Sequence, residues 1–174
     1  KIQVVHHDLG TRAYCGGIDL NANRTQTPGH ASRSPFHDVH ARVQGPAAGE
    51  LAKTFVERWM NRTPSTPLRL GEASVADAGE TGGEDVVQVA RTYYMPTPGS
   101  GRGFASATSG ESTILETLVS AIGRARRYIY IEDQYLTPPP ALRDALAAAA
   151  VQVSGPLIII VPASPDQPLG LPHR

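Results

Sequence analysis

The sequence predicts an α/β fold, a mixed and largely parallel sheet flanked by helices. Three observations carry this. Residues 35–45 alternate with the period of two that marks a strand. Two stretches, 46–59 and 111–127, set their apolar residues on one helical face. The C-terminal third then runs strand, helix, strand through 128–131, 139–151 and 157–161, a pattern that right-handed crossovers turn into helices packed on a parallel sheet. With 174 residues the chain is long enough for one ordinary domain with a core, or for half of a pseudo-symmetric enzyme.

Taken in order, residues 2–5 and 12–15 read as a strand pair joined by a polar turn over 6–11. Residues 20–35 form a surface loop. In the strand that follows, Val39, Ala41 and Val43 point one way while Asp38, His40 and Arg42 point the other. Gly45-Pro46 ends it and opens a helix, because proline at an early helical position loses no hydrogen bond. Ala48, Leu51, Ala52, Phe55 and Trp59 line the buried face of that helix. Residues 62–84 are a polar loop, 85–92 the next strand, and 95–110 a second loop centred on Gly-Ser-Gly-Arg-Gly. That glycine run lacks the terminal Lys-Ser/Thr of a phosphate-cradling loop and reads as an ordinary loop or active-site lid. The 111–127 helix carries Ile114, Leu115, Leu118, Ile122 and Ala125 on one face. Glu111 falls in its first turn and Arg124, Arg126 and Arg127 in its last, complementing the helix dipole at both ends. The unbroken apolar run 157–161 reads as a strand buried on both faces.

Composition narrows the class. Charged residues are 18% of the chain and the formal net charge is zero, so bulk electrostatics advertise neither nucleic acid nor an anionic membrane. Gly 17 and Pro 15 indicate compact elements separated by long loops. Lys1 and Lys53 are the only lysines, and arginine dominance with abundant Ala, Gly and Pro suggests a GC-rich bacterial coding sequence. The lone Cys15 rules out an internal disulfide and reads as a small buried side chain. The longest apolar runs fall short of the roughly 20 residues that cross a bilayer, so no transmembrane segment is expected. A cytoplasmic or membrane-peripheral location is favoured. His37 and His40 could suggest a metal site together with His6 and His7. A His-x-x-His spacing on a strand puts the two imidazoles on opposite faces, so no metal is expected.

Three blocks resemble one family. Lys1-Ile-Gln-Val-Val-His-His, followed by Cys15-Gly16-Gly17-Ile18-Asp19, resembles the first active-site motif of the phospholipase D superfamily. There His-x-Lys-x-x-x-x-Asp on a strand precedes Gly-Gly-x-Asp. The segment from Pro35-Phe-His-Asp-Val-His40 to Gly45-Pro46-Ala-Ala, with Arg58-Trp59 at the end of its helix, is similar to the Pro-Trp-His-Asp-x-His…Gly-Pro-Ala segment of plant-like and bacterial phospholipases D. Tyr128-Ile-Tyr-Ile-Glu-Asp-Gln-Tyr135 resembles the family's Ile-Tyr-Ile-Glu-Asn-Gln-Tyr. The blocks stand in family order.

The resemblance implies a phospholipase D-like fold, incomplete here. Residues 1–174 would be a single catalytic-region fragment between two His-x-Lys motifs, with loops at about 20–35, 62–84 and 95–110. The nucleophilic histidine would lie two residues before Lys1 and the second motif beyond Arg174, leaving this piece alone inactive. Lys1 would clamp the phosphate. Gly16 and Gly17 would let backbone approach it, Asp19 and His40 would line the pocket, and Glu132 and Gln134 would join them from a strand end, where open α/β sheets place ligands. A plain tight turn also accounts for the glycines, and loop capping for Glu132 and Gln134. His6 stands where the motif has aspartate.

The implied activity is a phosphodiesterase acting on glycerophospholipids at a membrane surface by hydrolysis or head-group exchange. No cofactor is expected, and calcium dependence is left open. A cardiolipin-synthase-type phosphatidyltransferase and a non-catalytic lipid- or protein-binding homologue are the alternatives. The absence of basic–aromatic clusters argues against a nucleic-acid substrate.

Overall fold

The computed structural model describes residues 1–7, 10–21, 29, 37–62, 84–95, 104 and 107–163. Most of the three expected loops lies outside these residues. Helices and strands are interspersed along the chain, so the α/β class holds. The chain divides into two compact units, one of Lys1–Val89 with Tyr93–Gly110, the other of Ala90–Thr92 with Glu111–Arg174.

The first unit is a helix on a small antiparallel sheet. Strands β1 (Ile2–His7), β2 (Gly10–Gly16) and β3 (His40–Val43) lie in that order, with α1 (Pro46–Arg62) following. In the register, Val4 pairs with Ala13 and Ala13 with Val43. Opposed residues share a face, and this row faces the helix. Ala13, Ala48 and Leu51 form the buried cluster, with Ile2, Val4, Val43 and Val89 packed around it. Alanines at 13 and 48, both fully buried, let helix and sheet approach closely. Gly45 takes a φ of 75°, a conformation glycine adopts without the Cβ penalty, and so turns the chain from β3 into α1. Thr54, buried inside the helix, satisfies its hydroxyl on the Glu50 carbonyl at 3.0 Å. Past the core the helix face opens to solvent, where Trp59 stacks on Phe55 with ring centroids 6.5 Å apart.

Two expectations for this region are corrected. Cys15 is exposed, because α1 packs over the Ala13–Val43 row and leaves Cys15 and Ala41 open. The 85–92 strand reduces to β4 (Thr92–Tyr93). Val86 is fully exposed and Val87 half-exposed; Val89 alone of the three packs on the core, and no strand among the described residues pairs with 85–91.

The second unit contains β5 (Glu111–Ser112), α2 (Thr113–Arg124), β6 (Ile129–Glu132), α3 (Pro140–Gln152) and β7 (Leu157–Ile160). β6 and β7 pair in parallel with α3 as their connection, a βαβ unit. Ile122, Ile129, Leu146 and Ala149 form its core, flanked by Ile131, Leu142 and Leu157. Pro140 opens α3 at a position where its missing N–H costs nothing. The ends of the helices are tied together. Gln152 Nε2 donates to the carbonyls of Gly123 and Ala125 at 3.1 and 2.8 Å, and Ser154 N donates to that of Arg126 at 2.9 Å. Arg126 itself folds back onto the Gly123 and Ala125 carbonyls, so orphan acceptors at the end of α2 are covered by side chains.

Three details here also differ from expectation. Glu111 precedes α2 rather than opening it; the acidic residue in the first turn is Glu116, which accepts from Ser112 Oγ at 2.8 Å. Ile114 and Leu118 stay exposed, so only the C-terminal half of the α2 stripe is buried. β7 is not buried on both faces. Its helix-covered side holds Leu157, whereas Ile158 and Ile160 are 41% and 48% exposed. β6 and β7 pair in parallel, whereas β1 with β2 and β2 with β3 pair antiparallel.

Arg91 ties the 90–92 segment to β5. Its guanidinium grips Glu111 with two contacts, at 3.0 and 3.2 Å, and its backbone N–H donates to Thr113 Oγ1 at 2.8 Å. The hydrogen bond from Arg91 holds the Glu111 carboxyl below the ordinary glutamate range, against the opposing effect of desolvation.

Replacing Leu51 by Ala is expected to destabilise the first unit by about 3 kcal/mol, read from urea denaturation. Because the folded pKa of Glu111 is depressed, its stabilisation is complete above the ordinary glutamate pKa and is lost as pH falls through the lower folded value. The Arg91→Gln variant should therefore lose stability at neutral pH and show a shallower decline on acidification than the parent, measured by thermal melts across the acid limb.

Candidate functional site

Five of the seven residues singled out by the sequence come together at one end of the first unit's sheet. Strand pleating places Lys1, Gly16 and His40 in one cross-strand row. Gly16 pairs with His40, and the backbones of Lys1 and Gly16 exchange hydrogen bonds of 3.0 and 3.2 Å. The Lys1 ammonium donates to the Gly17 carbonyl and pairs with Asp19 Oδ1 at 3.1 Å. Both partners of that ion pair are a little under half exposed, so it is a surface pair of small intrinsic worth that holds the ammonium in place.

The two glycines are required by close approach. A Cβ on Gly16 would meet His40 Cα at 2.7 Å and His40 Nδ1 at 2.9 Å, and one on Gly17 would meet Asp38 Oδ2 at 2.6 Å. Gly17 N donates to the Val39 carbonyl at 3.1 Å, which carries the pairing of β2 and β3 one residue past the ladder. The turn therefore seats His40 and Asp38 directly against glycine backbone. This is a stronger demand than a tight turn makes, since neither glycine has a positive φ.

Two further residues belong to the cluster. His40 Nε2 and Gln3 Oε1 lie 2.7 Å apart, a hydrogen bond that spans β2 and fixes the imidazole plane, while His40 Nδ1 is buried without a partner. With Nε2 as the donor to Gln3 Oε1, the neutral ring keeps its lone pair at Nδ1. Asp38 accepts from Val39 N at 2.8 Å through Oδ1. The period-two alternation already put Asp38 beside His40. Gln3 could have been found in the same way, since it lies two residues from Lys1 on the same face.

His6, at the position of the motif aspartate, lies on the opposite face of β1 from Lys1. It meets Thr11 Oγ1 at 3.2 Å across the hairpin, and Thr11 is almost fully buried. That position therefore serves the packing of the hairpin in this chain, and a histidine–threonine pair fills it. His37 lies outside β3.

Glu132 and Gln134 belong to the second unit, at the C-terminal end of β6. Tyr130 Oη donates to the Glu132 carboxylate, and this hydrogen bond raises the Tyr130 pKa above that of an ordinary phenol. The loop after β6 is shaped by Asp133, whose Oδ1 accepts from the backbones of Tyr135 and Leu136 at 2.8 and 2.7 Å. This Asx-type turn holds Leu136 at a φ of 40°, which non-glycine residues rarely adopt. Asp133 occupies the asparagine position of the motif quoted above, and here it shapes the turn as an acceptor.

Gly16→Ala is expected to push His40 off the glycine and separate β3 from β2. Hydrogen–deuterium exchange would register this as lost protection of the amides of 40–43, with Leu51 and its neighbours affected less.

Comparison with known proteins gives the family. The Phospholipase D family model matches residues 25–138, more than half of the chain. Phospholipase D alpha 2 of Oryza sativa subsp. japonica is 25% identical over 191 residues, covering 78% of this chain and 23% of that protein. Phospholipase D alpha 3 of Arabidopsis thaliana is 29% identical over 123 residues, covering 59% of this chain and 15% of that protein. Phospholipase D alpha 1 of Vigna unguiculata is 30% identical over 122 residues, again covering 59% and 15%. The chain thus spans at most about a quarter of the length of these relatives. A family model matched over more than half of the chain identifies this polypeptide as a member of the phospholipase D family.

Proposed function

We propose that this chain supplies a phosphate-binding part of a phospholipase D-type phosphodiesterase, which hydrolyses glycerophospholipids or exchanges their head groups. The observation that carries the reading is the single cluster formed by Lys1, Gly16, Gly17, Asp19 and His40. An ammonium held beside glycine backbone, with the His40 imidazole seated against the same turn, supports a site for a tetrahedral anion.

In the family's chemistry one histidine attacks phosphorus to form a phosphohistidine, and a second gives its proton to the departing alcohol. Water or another alcohol then attacks the intermediate, releasing the first histidine and yielding phosphatidic acid or the exchanged lipid. Those two histidines belong to the His-x-Lys motifs that flank this region in the resemblance. The present residues bind and orient: Lys1 stabilises charge on a non-bridging oxygen, Asp19 and Gly17 aim its ammonium, and Gln3 holds His40 at the rim. Glu132 and Gln134 are ligand-facing residues of the second unit in this reading, at the C-terminal end of β6, and β6 and β7 belong to a largely parallel phospholipase D-like sheet. The parallel βαβ unit supports that assignment. The placing of His6 opposite Lys1 removes one argument for a degenerate, non-catalytic homologue, because loss of the aspartate there does not touch the anion-facing side. No helix among the described residues is long and apolar enough to cross a membrane, so substrate is met from the bilayer surface in this reading.

The test is an assay of the full-length protein on phosphatidylcholine vesicles with ethanol as acceptor. Choline release with phosphatidic acid or phosphatidylethanol is the expected product pattern, and the absence of all three would overturn the proposal. Lys1→Gln should lower kcat by about a hundredfold, the effect of losing one preorganised donor of about 3 kcal/mol.

A further inference from the structure

The β1–β2–β3 sheet has two unlike faces. One is covered by α1. The register puts Lys1 and Gln3, Arg12 and Tyr14, and His40 and Arg42 together on the other. The acids near this face gather at the Lys1 end, where Asp19 pairs with Lys1 and Asp38 lies against Gly17. One row further along, about 7 Å from His40 by the rise of two strand residues, the character reverses. There Arg42 is exposed, and no described acidic residue bonds to it. In the row beyond, Arg12 Nε is buried without a hydrogen-bond partner. Both guanidiniums therefore stand on the face that carries Lys1, Arg42 open to solvent and Arg12 with an unpaired Nε, separated from Lys1 only by Gly16, Tyr14 and Gln3.

We propose that Arg42 is a specificity-determining residue that binds a carboxylate on the lipid head group while Lys1 holds the diester, so that the site favours a serine-type head group. The inference rests on the phosphodiester reading above. It follows from the order of charges along the sheet: acids at the Lys1 end suit the head-group ammonium, and the planar guanidinium one row away suits a carboxylate, which it can grip with two parallel hydrogen bonds. Lysine at position 42 would supply charge without that fork. Arg12, deeper and less exposed, backs the same field.

Short-chain phosphatidylserine and phosphatidylethanolamine differ by that one carboxylate. Used below their micellar concentrations, they separate head-group recognition from adsorption to a charged surface. The experiment is isothermal titration of both lipids into the full-length protein and its Arg42→Gln and Arg42→Lys variants. The parent should bind the serine lipid about fivefold more tightly, the effect of one arginine on an anionic lipid group. Arg42→Gln should erase that preference with ethanolamine-lipid binding unchanged, and Arg42→Lys should keep part of it. Equal binding of the two lipids by the parent would overturn the role of Arg42 and leave the phosphodiester reading standing. So would an equal loss of both lipids in Arg42→Gln, with an unaltered thermal melt. Failure of the parent to bind either lipid would overturn both.

Discussion

The pairing register of β1, β2 and β3 is the constraint on which the site depends. Side chains in a strand alternate strictly between faces, so one decision, Ala13 toward the helix, assigns every other residue of the sheet. Burying Ala13, Val4 and Val43 under Ala48 and Leu51 sends Lys1, Gly16 and His40 to the open side. A slip of one residue would bury the ammonium and expose the core. The apolar contact under α1 and the polar cluster above the sheet are thus one structural choice seen from two faces.

The glycines turn that choice into geometry. With no side chains at 16 and 17, β3 can lie against the end of β2, and His40 and Asp38 come within contact of its backbone. Gln3 then braces His40 across the intervening strand, and the Gly17 carbonyl and Asp19 orient Lys1. None of these interactions is strong alone, since most involve half-exposed groups. Together they restrict where the ammonium and the imidazole can point.

Much of this was legible in the chain because it rests on local patterns. The alternation at 38–43, the Gly-Pro opening of α1 and the strand–helix–strand order after 128 each follow from rules that act over a few residues. What failed were judgements that depend on distant partners. The valine-rich stretch 85–92 has strand composition, yet among the described residues only its end, Thr92, enters a strand, because a strand needs a neighbour that its own sequence cannot supply. Cys15 sits in an apolar run but beyond the reach of α1, and Ile158 and Ile160 lie on the uncovered side of a two-stranded sheet. The candidate site residues divide in the same way. Lys1, Gly16, Gly17, Asp19 and His40 were found through motif order, whereas Gln3 emerged only when β1 was seen two strands away from His40.

The shared ending of α2 and α3 has a bearing on how the second unit moves. The amide of Gln152, on one helix, occupies acceptors that belong to the end of the other, and the Ser154 backbone takes the next carbonyl along. Fraying either terminus by itself would strip hydrogen bonds from both, so the usual independence of helix ends is lost. The end of α2 is thus fastened to the end of α3, and a change at Gln152 would be felt at both.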